Sequence, residues 1–510
     1  MKSPKNPLAI AIAGICLGTA TQAFAADPAT AITIYSAARP GGISAEFYRP
    51  IPGQGVPNAM SVPGYALVRD ERELKIRQGR SQLSFTEVAA LIDPTTVTFT
   101  SLTDPATRAL EQNFQFDLVS TQKLLLKFID KPITVDKVVG NSVTPVSGTL
   151  LSATDGIVLR GTDGSIYSLP SYAGVKFPDL PGGFNTKPTL VWDLQSPAGG
   201  THKTRVTYQT GGITWWADYN LVFDEGADAN SGVLDMSAWV SIINMSGATF
   251  DNARLKLVAG DVNRVQPENA YDVRREVLMK AAAAPADAAG FTQKDFFEFH
   301  LYTLGRPTTL PNNSTKQIEL FDQAKKIPAK KVLTYNGAPQ FYPYGSPNIN
   351  RDTGSEMNKK VDVFLEFKND KQFGLGVPLP AGRLRVSKLD SADGSLEFIG
   401  EDQIDHTPKD ENVRVKLGSA FDIVGERRQV NFSVDTNAKW MEEEIEVKLR
   451  NHKSQPVEVM VNENLYRWSN WKVLTKTHDF KKDDARTITF PVKIAKDGEA
   501  VVRYRVRYSW

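Results

Sequence analysis

The sequence predicts a mainly β protein, and three observations support this prediction. Apolar and polar residues alternate with period two in on the order of twenty runs, which places one row of side chains in a core and the other in water. Clusters of Gly, Pro, Asn and Asp separate these runs, as turns between strands require. Helical patterns are few: residues 120–128, with Ser120 as the cap, and residues 271–280.

The clearest alternation lies near the C-terminal end of the sequence. Residues 502–510 place Val, Tyr and Trp on one face and three arginines and a serine on the other. Residues 361–367 alternate in the same way, with Val, Val, Leu and Phe on one face. Both runs predict strands that are buried on one side and solvated on the other.

The N-terminal segment has the order of a secretory signal peptide. Lys2 and Lys5 give a positive start, residues 8–20 are mostly apolar, and Ala23-Phe24-Ala25 matches a signal-peptidase site. We therefore expect residues 1–25 to be removed and the protein to be exported to the periplasm or the extracellular space. A membrane anchor is the alternative, and the short apolar run argues against it.

Composition restricts the partners and the chemistry. The expected cleavage removes Cys16, the one cysteine of the chain, so the mature protein would have no thiol chemistry. Removing Lys2 and Lys5 from the 60 basic residues leaves as many basic residues as the 58 acidic ones. We therefore expect no nucleic-acid partner. We also expect no cofactor and no metal, because no motif for binding either occurs. No later stretch reaches the roughly 18 apolar residues of a membrane span, so none is expected in the mature chain.

Three regions are predicted after the signal segment. Residues 26–130 form an N-terminal β module, and residues 131–188 form a small barrel-like β section with Asp-Gly turns at 155–156 and 163–164. Residues 189–510 form a β-sandwich region, either one sandwich or two that divide near residues 340–358. The low-complexity run 281–290 is expected to be a surface loop.

The last region resembles a known family. The resemblance rests on residues 211–219 (GGITWWADY), 255–263 (LKLVAGDVN), 304–310 (LGRPTTL), 374–382 (GLGVPLPAG) and 398–408 (FIGEDQIDHTP). Together these segments resemble bacterial proteins that contain the domain of unknown function 4139, and more distantly the C-terminal domain of mucoidy-inhibitor-like proteins. The resemblance implies an exported or envelope-associated β-rich protein, and it supplies no catalytic residues.

Neighbouring tryptophans give the first candidate site. On a strand Trp215 and Trp216 point to opposite faces, and Trp215 shares its face with Ile213 and Tyr219, which predicts a core position. Trp216 shares the other face with Asp218, where a tryptophan beside polar groups could stack on a sugar ring or bind a partner. The alternative for Trp216 is burial beneath a second layer.

Two further groups are weaker candidates for ligand binding. Asp405 and His406 belong to an acidic cluster that forms either a metal or ligand site or a solvated turn. Tyr342 and Tyr344 lie in a loop rich in Pro and Gly, where they either bind a partner or fold back onto the sandwich.

Motifs of enzyme chemistry are missing from the sequence. The five histidines form no closely spaced pair, and no serine elbow or complete phosphate-binding loop occurs. The Ser-x-x-Lys match at residues 120–123 is explained by Ser120 as a helix cap. We therefore predict no catalytic residues from the sequence.

The leading hypothesis is a non-catalytic binding or structural module of the cell envelope, with an unknown envelope protein or glycan as partner. The alternative is a hydrolase that acts on an envelope polymer through carboxylates dispersed along the chain. A third hypothesis, an outer-membrane barrel, is disfavoured by short strands and by charges at residues 442–444 on both faces of one strand.

Overall fold

The structure is a computed structural model of the chain. It describes residues 29–36, 43–49, 57–115, 120–139, 142–179, 187–226, 230–260, 262, 291–296, 299–338, 345–353, 358–390 and 392–510. Strands make up 65% and helices 4% of the structure, so the predicted mainly β class is confirmed. The expected signal segment 1–25, the expected helix 271–280, the loop 281–290 and both Tyr342 and Tyr344 lie outside the described residues.

Five strands precede the one α-helix of the described residues. They are β1 (Thr30–Tyr35), β2 (Tyr65–Ile76), β3 (Gly79–Thr86), β4 (Ile92–Ser101) and β5 (Arg108–Gln115). The helix and five short strands follow as α1 (Thr121–Lys127), β6 (Pro132–Val139), β7 (Ser142–Ser152), β8 (Ile157–Gly161), β9 (Ile166–Leu169) and β10 (Gly174–Lys176). The side chain of Ser120 accepts a hydrogen bond from the backbone N–H of Lys123, which confirms Ser120 as the helix cap.

Strands make up most of the described residues after β10. The next eight strands are β11 (Thr189–Ser196), β12 (Gly200–Thr210), β13 (Ile213–Glu225), β14 (Ser231–Asn244), β15 (Phe250–Ala259), β16 (Phe291–Phe296), β17 (Phe299–Leu304) and β18 (Thr308–Leu310). Four strands follow as β19 (Ser314–Asn336), β20 (Lys360–Lys368), β21 (Gly382–Leu389) and β22 (Leu396–Ile404). The last seven are β23 (Asn412–Asp435), β24 (Trp440–Asn451), β25 (Val457–Asn464), β26 (Trp471–Lys476), β27 (Lys481–Lys482), β28 (Thr487–Ile494) and β29 (Glu499–Ser509). Short 3₁₀ turns lie at Ala45–Phe47, Ala59–Ser61 and Lys371–Phe373.

Strands from both sides of the small inserted section share two sheets. The first sheet has the order β16-β17-β15-β1-β2-β12-β4, with β18 beside β15, and the second has the order β3-β11-β5. Trp192 of β11 is fully buried between them, with ring-centroid distances of 5.4 Å to Phe85 and 5.0 Å to Phe99. The N-terminal strands and the strands after residue 188 therefore contribute to one hydrophobic core.

The inserted section is an antiparallel five-stranded sheet with the order β10-β6-β7-β8-β9. Gly156 and Gly164 of its two Asp-Gly turns have φ values of 92° and 87°, a backbone conformation that glycine adopts without strain. The edge strands β9 and β10 do not pair with each other in the described residues, so the sheet is open. Its own small core contains Leu125 and Phe128, which cover one face.

A large branched sheet of thirteen strands spans the remaining region. Its main path is β22-β21-β13-β14-β19-β20-β23-β24-β29-β26, and β25, β27 and β28 branch from β19. Strands β13, β14, β21 and the first half of β19 pack on the eight-stranded sheet and form what we call the first sandwich. The second half of β19 pairs with β20 and, in parallel, with β25.

Strands β23 to β29 and the end of β19 enclose a separate hydrophobic core, and we call this unit the second sandwich. Strands β23, β24, β29 and β26 of the branched sheet form one layer, and its branch of β25, β28 and β27 forms the other. Ile445, Val459, Phe490 and Tyr504 are among the buried residues between them. Burial of apolar surface stabilises this unit, and the 24-residue strand β23 connects it to the first sandwich.

An ion-paired carboxylate holds the end of β13 beside its neighbouring strands. Glu225 accepts hydrogen bonds from Lys331 at 2.8 Å and from Lys388 at 2.5 Å. These two bonds lower the pKa of Glu225 from its ordinary value of 4.5 to about 2. Its charged form is therefore favoured in the folded state over the unfolded state.

We expect this site to make stability depend on pH. A carboxyl with a lowered folded-state pKa stabilises the fold fully above about pH 4.5 and loses that effect as the pH falls towards 2. Glu225→Gln should lower the free energy of unfolding by about 1 kcal/mol at pH 6, since solvent screens this partly exposed pair. Urea unfolding at pH 6 and at pH 3 measures the difference, which should shrink at pH 3. Glu73→Gln is the control, because Glu73 is exposed and makes no ion pair with the described residues. An equal loss of unfolding free energy in both variants would contradict the expectation.

Within the described residues, none of the helices has the length and apolar character that a membrane crossing requires.

Candidate functional site

The outward face of the first sandwich holds the predicted tryptophan of β13. Trp216 points away from the core that buries Trp215, as the alternation predicts, but only 8% of Trp216 is exposed. Ile43 and Val62 from the N-terminal segments lie over it, and the Tyr48 ring lies 5.8 Å from its ring. Trp216 is therefore covered by a second layer, and its ring is not an exposed platform.

Asp218 lies two residues further along the same face and is also buried. Ser241 of β14 donates a hydrogen bond of 2.7 Å to Asp218 Oδ2, and Gln317 of β19 donates one of 3.0 Å to Ser241 Oγ. Asp218 Oδ1 accepts no hydrogen bond from the described residues and lies 3.3 Å from Arg385 Nη1. The carboxylate is thus fixed in place on one side and faces a cation on the other.

Arg385 extends this arrangement to the edge of the sheet. It lies on β21 opposite Glu401 of β22, and its Nε is 3.7 Å from Glu401 Oε2. Gln317, Ser241, Asp218, Arg385 and Glu401 therefore form a continuous row across five neighbouring strands, which we call the polar strip. Arg385 and Glu401 are partly exposed, so this end of the strip is open to a ligand.

Trp239 lies beside the polar strip and is exposed. In the strand register it is opposite Asp218 of β13 on one side and opposite Glu319 of β19 on the other. Its side chain is 37% exposed, whereas the alternate residues of β14 fill the core. Those core residues are Met236, Ala238, Val240 and Ile242. Glu319 is exposed and makes no ion pair with any described residue.

Sequence reasoning missed Trp239, although β14 contains a signal for it. The outward row of this strand reads Ser237, Trp239, Ser241, so a large aromatic residue stands among small polar ones on the solvated face. Arg385 was also missed, and Glu401 was recognised only as a member of the acidic cluster at residues 401–406, without its link to Asp218. Their strands β21 and β22 lie far along the chain, and only the parallel pairing of β13 with β21 brings them to Asp218.

Residues 43–49 and 57–62 lie over Trp216 and form what we call the cover. A hydrogen bond joins the cover to the same face of the sheet. Arg383 of β21 donates from Nη2 to the Tyr48 hydroxyl at 3.3 Å. This bond raises the pKa of the Arg383 guanidinium, which is charged at any physiological pH in any case. A permanent positive charge therefore lies between the cover and the polar strip.

Asp405 and His406 lie at the end of β22, near this region. Ile404 pairs with Gly382, which pairs with Ala217, so the turn is two strand spacings, about 10 Å, from β13. Both side chains are exposed, and the Ala381 N–H donates to His406 Nδ1 at 3.0 Å. The backbone carbonyl of Asp405 accepts a hydrogen bond from the Thr407 hydroxyl. The fold thus brings Trp216, Asp218, Asp405 and His406 to one end of one sheet.

No protein-family model, no curated protein and no solved structure matches the chain. The resemblance to proteins with the domain of unknown function 4139 stays a prediction.

Among the described residues, no three His, Cys, Asp or Glu side chains lie close enough together to hold a metal ion.

Proposed function

We propose that this chain is an exported cell-envelope protein that binds a glycan on the outer face of its first sandwich and catalyses no reaction there. The observation that supports this proposal is the exposed indole of Trp239 directly opposite the fixed carboxylate of Asp218. The signal-like order of residues 1–25 supports export.

A sugar ring suits this surface because it has an apolar C–H face and a rim of hydroxyls. The indole of Trp239 offers a flat apolar area on which such a face can stack. Glu319 and Arg385 lie to either side with accepting and donating groups for the hydroxyls. Asp218 is itself buried, and its carboxylate, held by Ser241, fixes the Arg385 guanidinium before any ligand arrives, so little conformational entropy of Arg385 is lost on binding.

Binding without turnover is favoured by the positions of the carboxylates. A glycosidase needs one protonated and one charged carboxyl on opposite sides of the scissile bond. Asp218 and Glu401 are instead both ion-paired with the guanidinium of Arg385. The charged form of both carboxyls is favoured by this cation, so neither is suited to be the protonated acid. The Arg385 guanidinium contacts both carboxylates, so it takes the place beside them that a water or a glycosidic oxygen would need.

The decisive experiment measures glycan binding by the purified protein lacking residues 1–25. Fragments of peptidoglycan and of envelope polysaccharide are titrated calorimetrically against the wild type and against Trp239→Ala. We expect the variant to bind at least about tenfold more weakly, since an exposed tryptophan in a binding surface commonly dominates affinity. Its urea unfolding should stay close to that of the wild type because Trp239 is not a core residue.

Phe421→Ala is the matched control, since Phe421 is 95% exposed and lies on β23, outside the polar strip. It should bind glycan as the wild type does. Equal affinity of Trp239→Ala and wild type would refute the assignment of the site. Glycan turnover that disappears in Asp218→Asn or Glu401→Gln would show an enzyme instead, and capture of a protein but of no glycan would show a different class of partner.

A further inference from the structure

The inserted five-stranded sheet contains a groove that lies apart from the polar strip. Its volume is about 360 Å³, and its walls come from β6, β7, β8 and β10 together with residues just after β8 and β10. This volume falls in the range of small-molecule sites and is too small for a folded partner. The groove is therefore a candidate for a small ligand.

The charged side chains in the walls of the groove are all basic. Arg160 and Lys176 line it, and no Asp or Glu does, although acidic and basic residues are nearly balanced in the whole chain. Arg160 is exposed and makes no ion pair with the described residues. Lys176 makes one contact of 3.4 Å with Asp136, which lies outside the lining. The groove thus presents one unpaired cation and one weakly paired cation.

The remaining lining supplies hydroxyl groups and apolar surface. The hydroxyls of Thr149 and Thr162 can donate hydrogen bonds to an oxyanion. Pro132 and Pro178 are exposed and Phe177 is half-buried, and these three residues add apolar surface to the groove. A guanidinium with hydroxyl donors matches a carboxylate or a phosphate, and the apolar surface matches a hydrocarbon group attached to it.

We propose that this groove binds a small organic anion, in which a carboxylate or a phosphate is joined to an apolar group. Arg160 is the principal contact for the anionic oxygens, and Lys176 adds a second positive charge. Phe177 and Pro178 contact the apolar part. This site is independent of the glycan site proposed above, because no residue of the polar strip lines the groove.

Calorimetric titration of the full chain tests the proposal with octanoate and phenyl phosphate as probes. Octylammonium, with the same hydrocarbon chain and the opposite charge, is the matched ligand control. We expect both anions to bind and octylammonium to bind at least tenfold more weakly. Hydrogen exchange measured by mass spectrometry should show protection by the anions within residues 132–178.

Arg160→Gln should weaken anion binding about tenfold, and Lys176→Gln should weaken it less, because Lys176 already contacts Asp136. Lys137→Gln is the matched protein control: Lys137 is an exposed lysine on β6 outside the groove. Equal effects of Arg160→Gln and Lys137→Gln, equal binding of octylammonium, or protection elsewhere in the chain would each overturn the proposal. Binding of inorganic phosphate as tight as that of phenyl phosphate would remove the apolar part of the assignment.

Discussion

Glu463→Gln is expected to lower the free energy of unfolding of the second sandwich by about 3–5 kcal/mol. Glu463 on β25 and Arg427 on β23 lie in opposite layers of the second sandwich, and Arg427 Nε is 2.9 Å from Glu463 Oε2. Both side chains are at most 1% exposed, so neither charge is solvated. The substitution leaves the buried guanidinium without its nearest counter-charge, in a region where solvent cannot compensate.

Tyr504 belongs to the same buried arrangement. Its hydroxyl donates to Glu463 Oε2 at 2.5 Å, and burial raises the pKa of Tyr504 well above its ordinary value. The phenol therefore stays neutral and keeps donating to the carboxylate at any physiological pH. Glu463 thus connects β23, β25 and β29, which explains why its loss should affect the whole second sandwich.

Urea denaturation of the wild type and Glu463→Gln measures the effect, and Glu499→Gln is the control. Glu499 accepts from Lys448 at 2.7 Å on the solvated face, where such a pair contributes less than about 1 kcal/mol. Replacing both buried partners, as in Arg427→Met with Glu463→Leu, should recover most of the loss because no charge is left unpaired. A shift in Glu463→Gln no larger than in Glu499→Gln would show that the buried pair adds nothing.

Alternation allowed much of the strand geometry to be predicted. It identified the fold class, the inward face of Trp215 and the outward face of Trp216, because the period of two is a local property of the backbone. It also placed charges on both faces of the strand at residues 442–444. It could not show that Glu443, on the inward face, pairs with Arg467 at 3.1 Å and accepts from Tyr466, since those residues lie on a later segment.

The polar strip was beyond such reasoning for the same physical cause. Asp218 is recognisable on its strand, but its partners come from β14, β19 and β21, which the fold alone brings together. The segments that cover Trp216 have no hydrophobic period at all, so no pattern indicates where they pack. Local sequence therefore determines which face a residue occupies, whereas tertiary contacts determine whether that face is open to solvent.

The two neighbouring tryptophans of β13 test this distinction directly. Trp215→Ala should lower the free energy of unfolding by about 3–5 kcal/mol, because it empties a large volume in the core of the first sandwich. Trp215 Nε1 donates to the Val258 carbonyl at 3.3 Å, and its ring lies edge-on to Tyr302 at 6.2 Å. Ser36 donates to the Trp215 carbonyl at 2.9 Å, so three separate segments depend on this position.

Trp216→Ala should cost less, about 2 kcal/mol, because the cover made of residues 43–49 and 57–62 contains no strand and can close over the smaller side chain. Urea unfolding compares the two variants. Hydrogen exchange should rise within residues 43–62 in Trp216→Ala and across β15 and β17 in Trp215→Ala. If Trp216→Ala proved as destabilising as Trp215→Ala, the cover would be an integral part of the main core.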